Sequence, residues 1–292
     1  MAKTTPEAFN VFFDRIKPSD ALNRTIEARK NAVIDVLKAA FPSSSTLRYR
    51  STTLIGSIGR KTASKPIDDI DLLVHLHVDT DLWNSTYRND SSKFLYRVRD
   101  GIKNATTVQK VGARGQAVRL FYADGPTVDI AAVEKYSSGA FAIPDGTGGW
   151  LSTNPVVHAD YIDKKNAELS NNLKRFVQVV RQWNHAHSSY LHSFHFEMLA
   201  ARTFTSLSAN RRTALKIFFK HNYNNLSVND PAGFSGDLST YLTTSQRQAV
   251  NLNIARAYDQ ATKAIDAENR GNEQEAIRLW KVILGDDFPS YG

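Results

Sequence analysis

Acids rarely sit inside apolar strands, and this chain places three there. Within Asp68-Asp69-Ile70-Asp71-Leu72-Leu73-Val74, the run Asp69 to Leu72 alternates polar and apolar residues at a period of two, and apolar residues follow it. On a strand, side chains two apart share a face, so Asp69 and Asp71 project together while Ile70, Leu72 and Val74 enter the opposite, apolar side. A third acid, Asp129, lies in Thr127-Val128-Asp129-Ile130-Ala131, where an isolated carboxylate needs a partner. If the two strands are neighbours, three carboxylates converge. Close like charges raise one another's pKa and destabilise the fold unless a cation sits between them, which makes the cluster a candidate Mg²⁺ site, with Mn²⁺ as the alternative ion.

The rest of the chain supplies a frame for such a sheet. Thr52 to Ile55, Ile70 to Val78, Val118 to Tyr122 and Thr127 to Val133 read as strands separated by turn residues. Ala123-Asp124-Gly125-Pro126 predicts an antiparallel hairpin between the last two. Before the sheet, Thr5 can cap a helix that has Pro6 in its first turn and Phe9, Phe12, Phe13 and Ile16 on one face. Lys17-Pro18-Ser19 interrupts it, and a second helical stretch runs from Ser19 and ends before Pro42, as a spine. A polar helical segment with Phe94, Leu95 and Val98 is expected to pack on one face of the sheet. Residues 137–155 are rich in Gly and Pro, so regular structure is expected to pause there and the lobes to join. Helices are expected at Lys164 to His187, Phe194 to Leu207, Arg211 to Lys220, Ser245 to Asn269 and Glu273 to Leu284. The expected fold is α/β (α+β): a spine over 1–41, a mixed-sheet core over 42–155 and a helical lobe over 156–292.

Composition removes whole classes of function. With no cysteine, thiolate zinc sites, iron–sulfur clusters and thiol nucleophiles drop out. There is no apolar run of 18 residues and no secretory leader in the opening residues, so a cytoplasmic protein is expected. Thirty-seven Lys and Arg against 29 Asp and Glu give a net charge of +8, which suits an anionic partner.

Chemistry gathers at Gly56-Ser57, followed by Arg60 and Lys61 and then by the acids. A glycine lets backbone approach a phosphate, Ser57 offers a hydroxyl and an N–H, and Arg60 adds positive charge. Three convergent acids beside them are what two-metal phosphoryl transfer uses. Gly-Ser, a spacer, Asp-Ile-Asp and a later Asp resemble the polymerase-β-type nucleotidyltransferases. More narrowly, the chain resembles the bacterial cGAS/DncV-like nucleotidyltransferases (CD-NTases, SMODS-type), through Asn154-Pro155, Arg181-Gln182-Trp183, Ser193-Phe194-His195-Phe196-Glu197 and Gly285-Asp286-Asp287-Phe288-Pro289. The resemblance implies a cyclic oligonucleotide synthase of anti-phage (CBASS) defence acting on NTPs: ATP, with UTP or GTP as further candidates. It implies that Asp69, Asp71 and Asp129 hold two Mg²⁺, that Ser57, Arg181 and Ser193 contact the donor triphosphate, and that Phe194 stacks on a base. Arg181 replaces the family's usual lysine and Phe194 its tyrosine. At the position of Asn166 some members read a base edge, and an amide there suits uracil. Operon-encoded effectors, and a ubiquitin-ligase-like partner acting at Gly292, are further implications; activation by nucleic acid is the less favoured one, and no membrane partner is expected.

Other features have plainer readings. His185, His187, His192 and His195 lack metalloprotease spacing, and Glu197 fits a lobe-stabilising role. His75 and His77 read as satisfied polar groups on the sheet, and the end of the chain at 288–292 as a flexible tail. Two alternatives stay open: a linear nucleotidyltransferase acting on an RNA end or small molecule, and a nucleotide- or RNA-binding module with an inactive site.

Overall fold

The computed structural model describes residues 2–104 and 108–292. Two helices open the chain, α1 (Thr5–Ile16) and α2 (Asp20–Ala40). Thr4 caps α1 in place of the expected Thr5, its hydroxyl accepting the Glu7 N–H at 3.3 Å. Pro6 still falls in the first turn, where a missing N–H costs nothing. Pro18 ends the run, and Ser19 starts the next helix by accepting the Leu22 N–H.

Next come β1 (Leu47–Leu54), the single turn α3 (Gly56–Gly59) and β2 (Asp69–Val78). α4 (Thr80–Leu82) runs into a π-helical turn at Trp83–Tyr87, and α5 (Ser91–Ile102) follows. The remaining strands are β3 (Lys110–Arg114), β4 (Ala117–Phe121), β5 (Thr127–Lys135), β6 (Phe141–Pro144) and β7 (Trp150–Thr153). They form one mixed sheet in the order β1-β2-β5-β4-β3, with β6 added to β5 and β7 to β6. Among the described strand pairs of this sheet, only β2 and β5 run parallel. The β4–β5 hairpin is antiparallel as expected, pairing Val118 with Ile130 and Leu120 with Val128.

The pause expected over 137–155 is in fact two short strands. Phe141–Ile143 is apolar and buried, and it extends the ladder from Glu134 and Lys135. The glycines serve the connecting turn, where Gly146 and Gly148 have φ of +86° and +103°.

One sheet face is the core. Ile70, Leu72, Val74 and Leu76 of β2 and Val128, Ile130 and Ala132 of β5 are fully buried and join Ile26, Val33 and Leu37 of α2 and Phe94 and Val98 of α5 in a single cluster. Each large apolar side chain so buried contributes about 1.5–3 kcal/mol. The opposite face begins with the acids and continues into a smaller cluster of Leu73, Val133, Phe141 and Ile143.

The helices that follow are α6 (Pro155–Glu168), α7 (Leu173–Ala186), α8 (Ser193–Thr203), α9 (Arg211–Asn222), α10 (Thr244–Asn269) and α11 (Glu273–Leu284). The single helix expected at Lys164 to His187 is broken, because Ser170 and Asn171 adopt positive φ of 55° and 61°. The polar Ser170-Asn171-Asn172 run tolerates this conformation at little cost.

The chain forms two compact units. One holds residues 18–60 and 67–159, the sheet with α2 and α5; the other holds 1–17, 61–66 and 160–292. In the helical unit, Phe9 and Phe12 of α1 share a core with Trp183, Phe196, Phe218 and Trp280. The end of the chain is docked there, where a flexible tail was expected. Phe288 is fully buried, its ring 5.1 Å from Phe9 and 5.2 Å from Phe12, and the Gly292 N–H donates to the Ala2 carbonyl at 3.2 Å. Among the described residues, no helix is long and apolar enough to cross a membrane.

Candidate active site

The parallel pairing of β2 with β5 sets Asp71 beside Asp129 and Asp69 beside Thr127. Since facing residues point to the same side of a sheet, all three acids emerge on one face. Ligand oxygens of Asp69, Asp71 and Asp129 lie within 4.8 Å of one another, and among the described residues this is the only such gathering of His, Asp or Glu. Asp69 is exposed and the other two are half-buried.

The turn after β1 closes over the acids. The Ile55 N–H donates to the Asp71 carbonyl at 3.0 Å, and α3 begins at the next residue. A Cβ on Gly56 would sit 1.9 Å from Asp71 Oδ2, and the residue has a φ of +64°. Glycine is therefore required twice, by contact and by conformation. Ser57 follows, half-buried, in the same turn. Arg60 is 7% exposed, and its charge acts on Asp71.

Electrostatics reflect the crowding. Burial, then Asp69, then Asp129 push the Asp71 carboxyl up to about 6, while Arg60 and Arg119 pull the other way. Two like charges beside a partly desolvated carboxylate favour the proton. An all-carboxylate donor set fits a hard divalent cation better than a soft one, so these residues suit Mg²⁺ or Mn²⁺.

Arg119 was not singled out from the sequence. It lies on β4 directly across from Asp129, and its Nε donates to Asp129 Oδ1 at 2.6 Å while Nη2 donates to Oδ2. The hydrogen bond to Asp129 is the main cause of its raised pKa. The signal was present: a basic residue at the centre of Val118-Arg119-Leu120, in a hairpin whose register puts it opposite the acid.

Other expected site residues lie in the helical unit. Arg181 is mostly buried on α7, its guanidinium 5.5 Å from the Phe196 ring centre. Ser193 opens α8. Phe194 lines a cavity of about 220 Å³ together with His192, His195, Asp237, Thr240 and Tyr241. Asn166 sits at the α6–α7 break, where its Nδ2 donates to Asn171 Oδ1 at 3.0 Å and its Oδ1 accepts the Lys174 N–H at 3.1 Å. Reading a base edge would require that amide to leave these partners.

The histidines have structural partners. His75 and His77 each approach Glu134 to 3.6 Å. His195 bridges the Tyr241 hydroxyl at 3.0 Å and the Leu226 carbonyl at 2.7 Å, and burial lowers its pKa. His187 Nε2 lies 2.9 Å from the Ile283 carbonyl. Glu197 is fully buried and accepts the Thr62 hydroxyl at 2.8 Å, consistent with a lobe-stabilising role.

Known proteins share both fold and sequence with the chain. It is 25% identical over 270 residues, 81% of each chain, to a "Probable cyclic nucleotide synthase" of Bacillus cereus (strain VD146). It is 24% identical over 98% of its length, and 86% of the relative's, to a "Cyclic AMP-AMP-AMP synthase" of Acinetobacter sp.. The structure of CdnC from E. coli MS115-1 with ATP superposes with a TM-score of 0.78 at 17% identity, covering 98% of this chain and 99% of that one. The sequence model of the Second Messenger Oligonucleotide or Dinucleotide Synthetase domain matches residues 3–166, more than half of the chain, and with that match the protein belongs to the SMODS family of nucleotidyltransferases.

Proposed function

We propose that the chain joins nucleoside triphosphates into a cyclic oligonucleotide second messenger, read as a dinucleotide, for a bacterial anti-phage (CBASS) system. The observation that carries this reading is the meeting of Asp69, Asp71 and Asp129 on one sheet face beside a glycine-serine turn. In this proposal a 3′- or 2′-hydroxyl of one nucleotide attacks the α-phosphorus of another in line, and pyrophosphate leaves; a second such step closes the ring. Asp69, Asp71 and Asp129 would hold two Mg²⁺, which supply Lewis-acid stabilisation of the reacting oxygens when bound. Gly56 lets the backbone reach the triphosphate, and Ser57 offers it a hydroxyl and an N–H. Positioning and charge stabilisation account for most of the acceleration, since the protein performs little covalent chemistry.

ATP is the first substrate to test, given the ATP in the CdnC structure and the adenylate product named for the Acinetobacter relative. Arg181, Ser193 and Phe194 are proposed to bind nucleotide on the strength of the motif resemblance. Effector coupling and conjugation at Gly292 belong to the same proposal.

Incubation with labelled NTPs and Mg²⁺ tests it. A phosphatase-resistant product accompanied by pyrophosphate is expected. Phosphatase-sensitive products would indicate a linear transferase, and binding without turnover an inactive module. The double variant Asp69→Asn with Asp71→Asn should fold normally yet release no pyrophosphate, because loss of the metal carboxylates costs several kcal/mol of barrier; robust turnover by that variant would defeat the assignment.

A further inference from the structure

Arg119 is a cation in direct contact with the acid cluster. Its fork engages both oxygens of Asp129, the arrangement in which a guanidinium binds a carboxylate most firmly. Register fixes the pair from both sides: Arg119 lies across from Asp129 in the β4–β5 ladder, and Asp71 lies beside Asp129 in the β5–β2 ladder. The two arginines that act on Asp71 differ in freedom. Arg60 is 7% exposed, whereas the Arg119 side chain is 44% exposed over an Asp129 side chain that is 16% exposed. Arg119 therefore has solvent to move into, and Asp129 has much less.

A divalent ion held by Asp129 would meet that guanidinium on the same carboxylate, with like charges a few ångströms apart and little solvent at the acid to screen them. We propose that Arg119 is the resident counter-cation of the ion-free cage, and that divalent-ion binding is an exchange in which the guanidinium gives up Asp129. The inference rests on reading the three acids as a metal site. Arg119 is thus a positioning residue with two effects of opposite sign: it steadies the ion-free fold by relieving repulsion among the acids, and it weakens ion affinity. A purely structural ion pair would have only the first effect.

Mn²⁺ is the probe, with free ion counted by electron paramagnetic resonance and melting followed in chelator. Arg119→Met should bind Mn²⁺ roughly threefold to tenfold more tightly than the parent chain and melt at a lower temperature in chelator. Arg119→Lys, which keeps the charge but loses the fork, should fall between, and it decides the matter if Arg119→Met does not fold. Lys110→Met, which removes a charge from the neighbouring strand β3, should leave affinity unchanged; an equal gain there would reduce the effect to net charge and overturn the exchange. Unchanged or weaker binding by both Arg119 variants would overturn it as well, with the metal site intact. If the parent chain shows no Mn²⁺ binding that the Asp69→Asn, Asp71→Asn variant abolishes, the metal-site reading itself falls, and the exchange with it.

Discussion

Asp71 combines burial with two acidic neighbours, and its titration should be visible in stability. A carboxyl whose folded pKa of about 6 lies above its ordinary 3.8 binds more protons folded than unfolded between those values. Its contribution therefore favours the ion-free protein as pH falls from 7 toward 4, by on the order of 2–3 kcal/mol. In urea denaturation with chelator, Asp71→Asn should flatten that slope and raise stability at pH 7; a parallel pH profile for parent and variant would contradict it. Gly56 is the other residue whose identity the site dictates. Gly56→Ala drives a methyl into Asp71 Oδ2 at a φ of +64°, so it should cost about 1–3 kcal/mol and abolish pyrophosphate release. Both residues were legible because alternation and a Gly-Ser pair are local signals. Arg119 is equally local in sequence, but its meaning depends on which acid the hairpin register sets opposite it.

At the scale of elements, the strands that carry acids were easier to read than the short ones that flank them. β2 and β5 are nine or ten residues long and alternate around their acids, whereas β6 and β7 have four residues each and sit among glycines, so β6 takes its pairing from β5 and β7 from β6 rather than from their own pattern. Helical periodicity likewise ran through the α6–α7 break, because three polar residues look like an exposed helix face until their φ values are known. Asn166 ties the two sides of that break together through both ends of its amide. Asn166→Ala should therefore lower stability by about 1 kcal/mol, measured as a shift in urea midpoint. A residue acting only on a base would leave the midpoint in place and change the nucleotide profile.

At the scale of the whole molecule, the two ends of the chain belong to the same helical unit. The Thr5 hydroxyl donates to Glu273 Oε2 at 2.5 Å, Arg15 donates to the Asp287 carbonyl at 3.0 Å, and Phe9 meets Trp280 edge-on at 5.2 Å. Phe288 completes that cluster. Phe288→Ala should destabilise the helical unit by about 3–5 kcal/mol, with faster amide exchange in α1 and α11. Exchange unaltered in both helices would mean that the terminal segment is not part of the core.

The sequence by itself determined which side chains share a face, since strand and helix periods are properties of a few consecutive residues. That was enough to place Asp69 with Asp71, to set Val128 and Ile130 on the face opposite Asp129, and to carry the family resemblance. Tertiary structure alone decided that β5 lies parallel beside β2, that Arg119 occupies both oxygens of Asp129, and that the last residues dock on α1. Each of these is a contact between segments separated by intervening chain, chosen by the packing of the whole core, and no short window of sequence contains the energy that selects it.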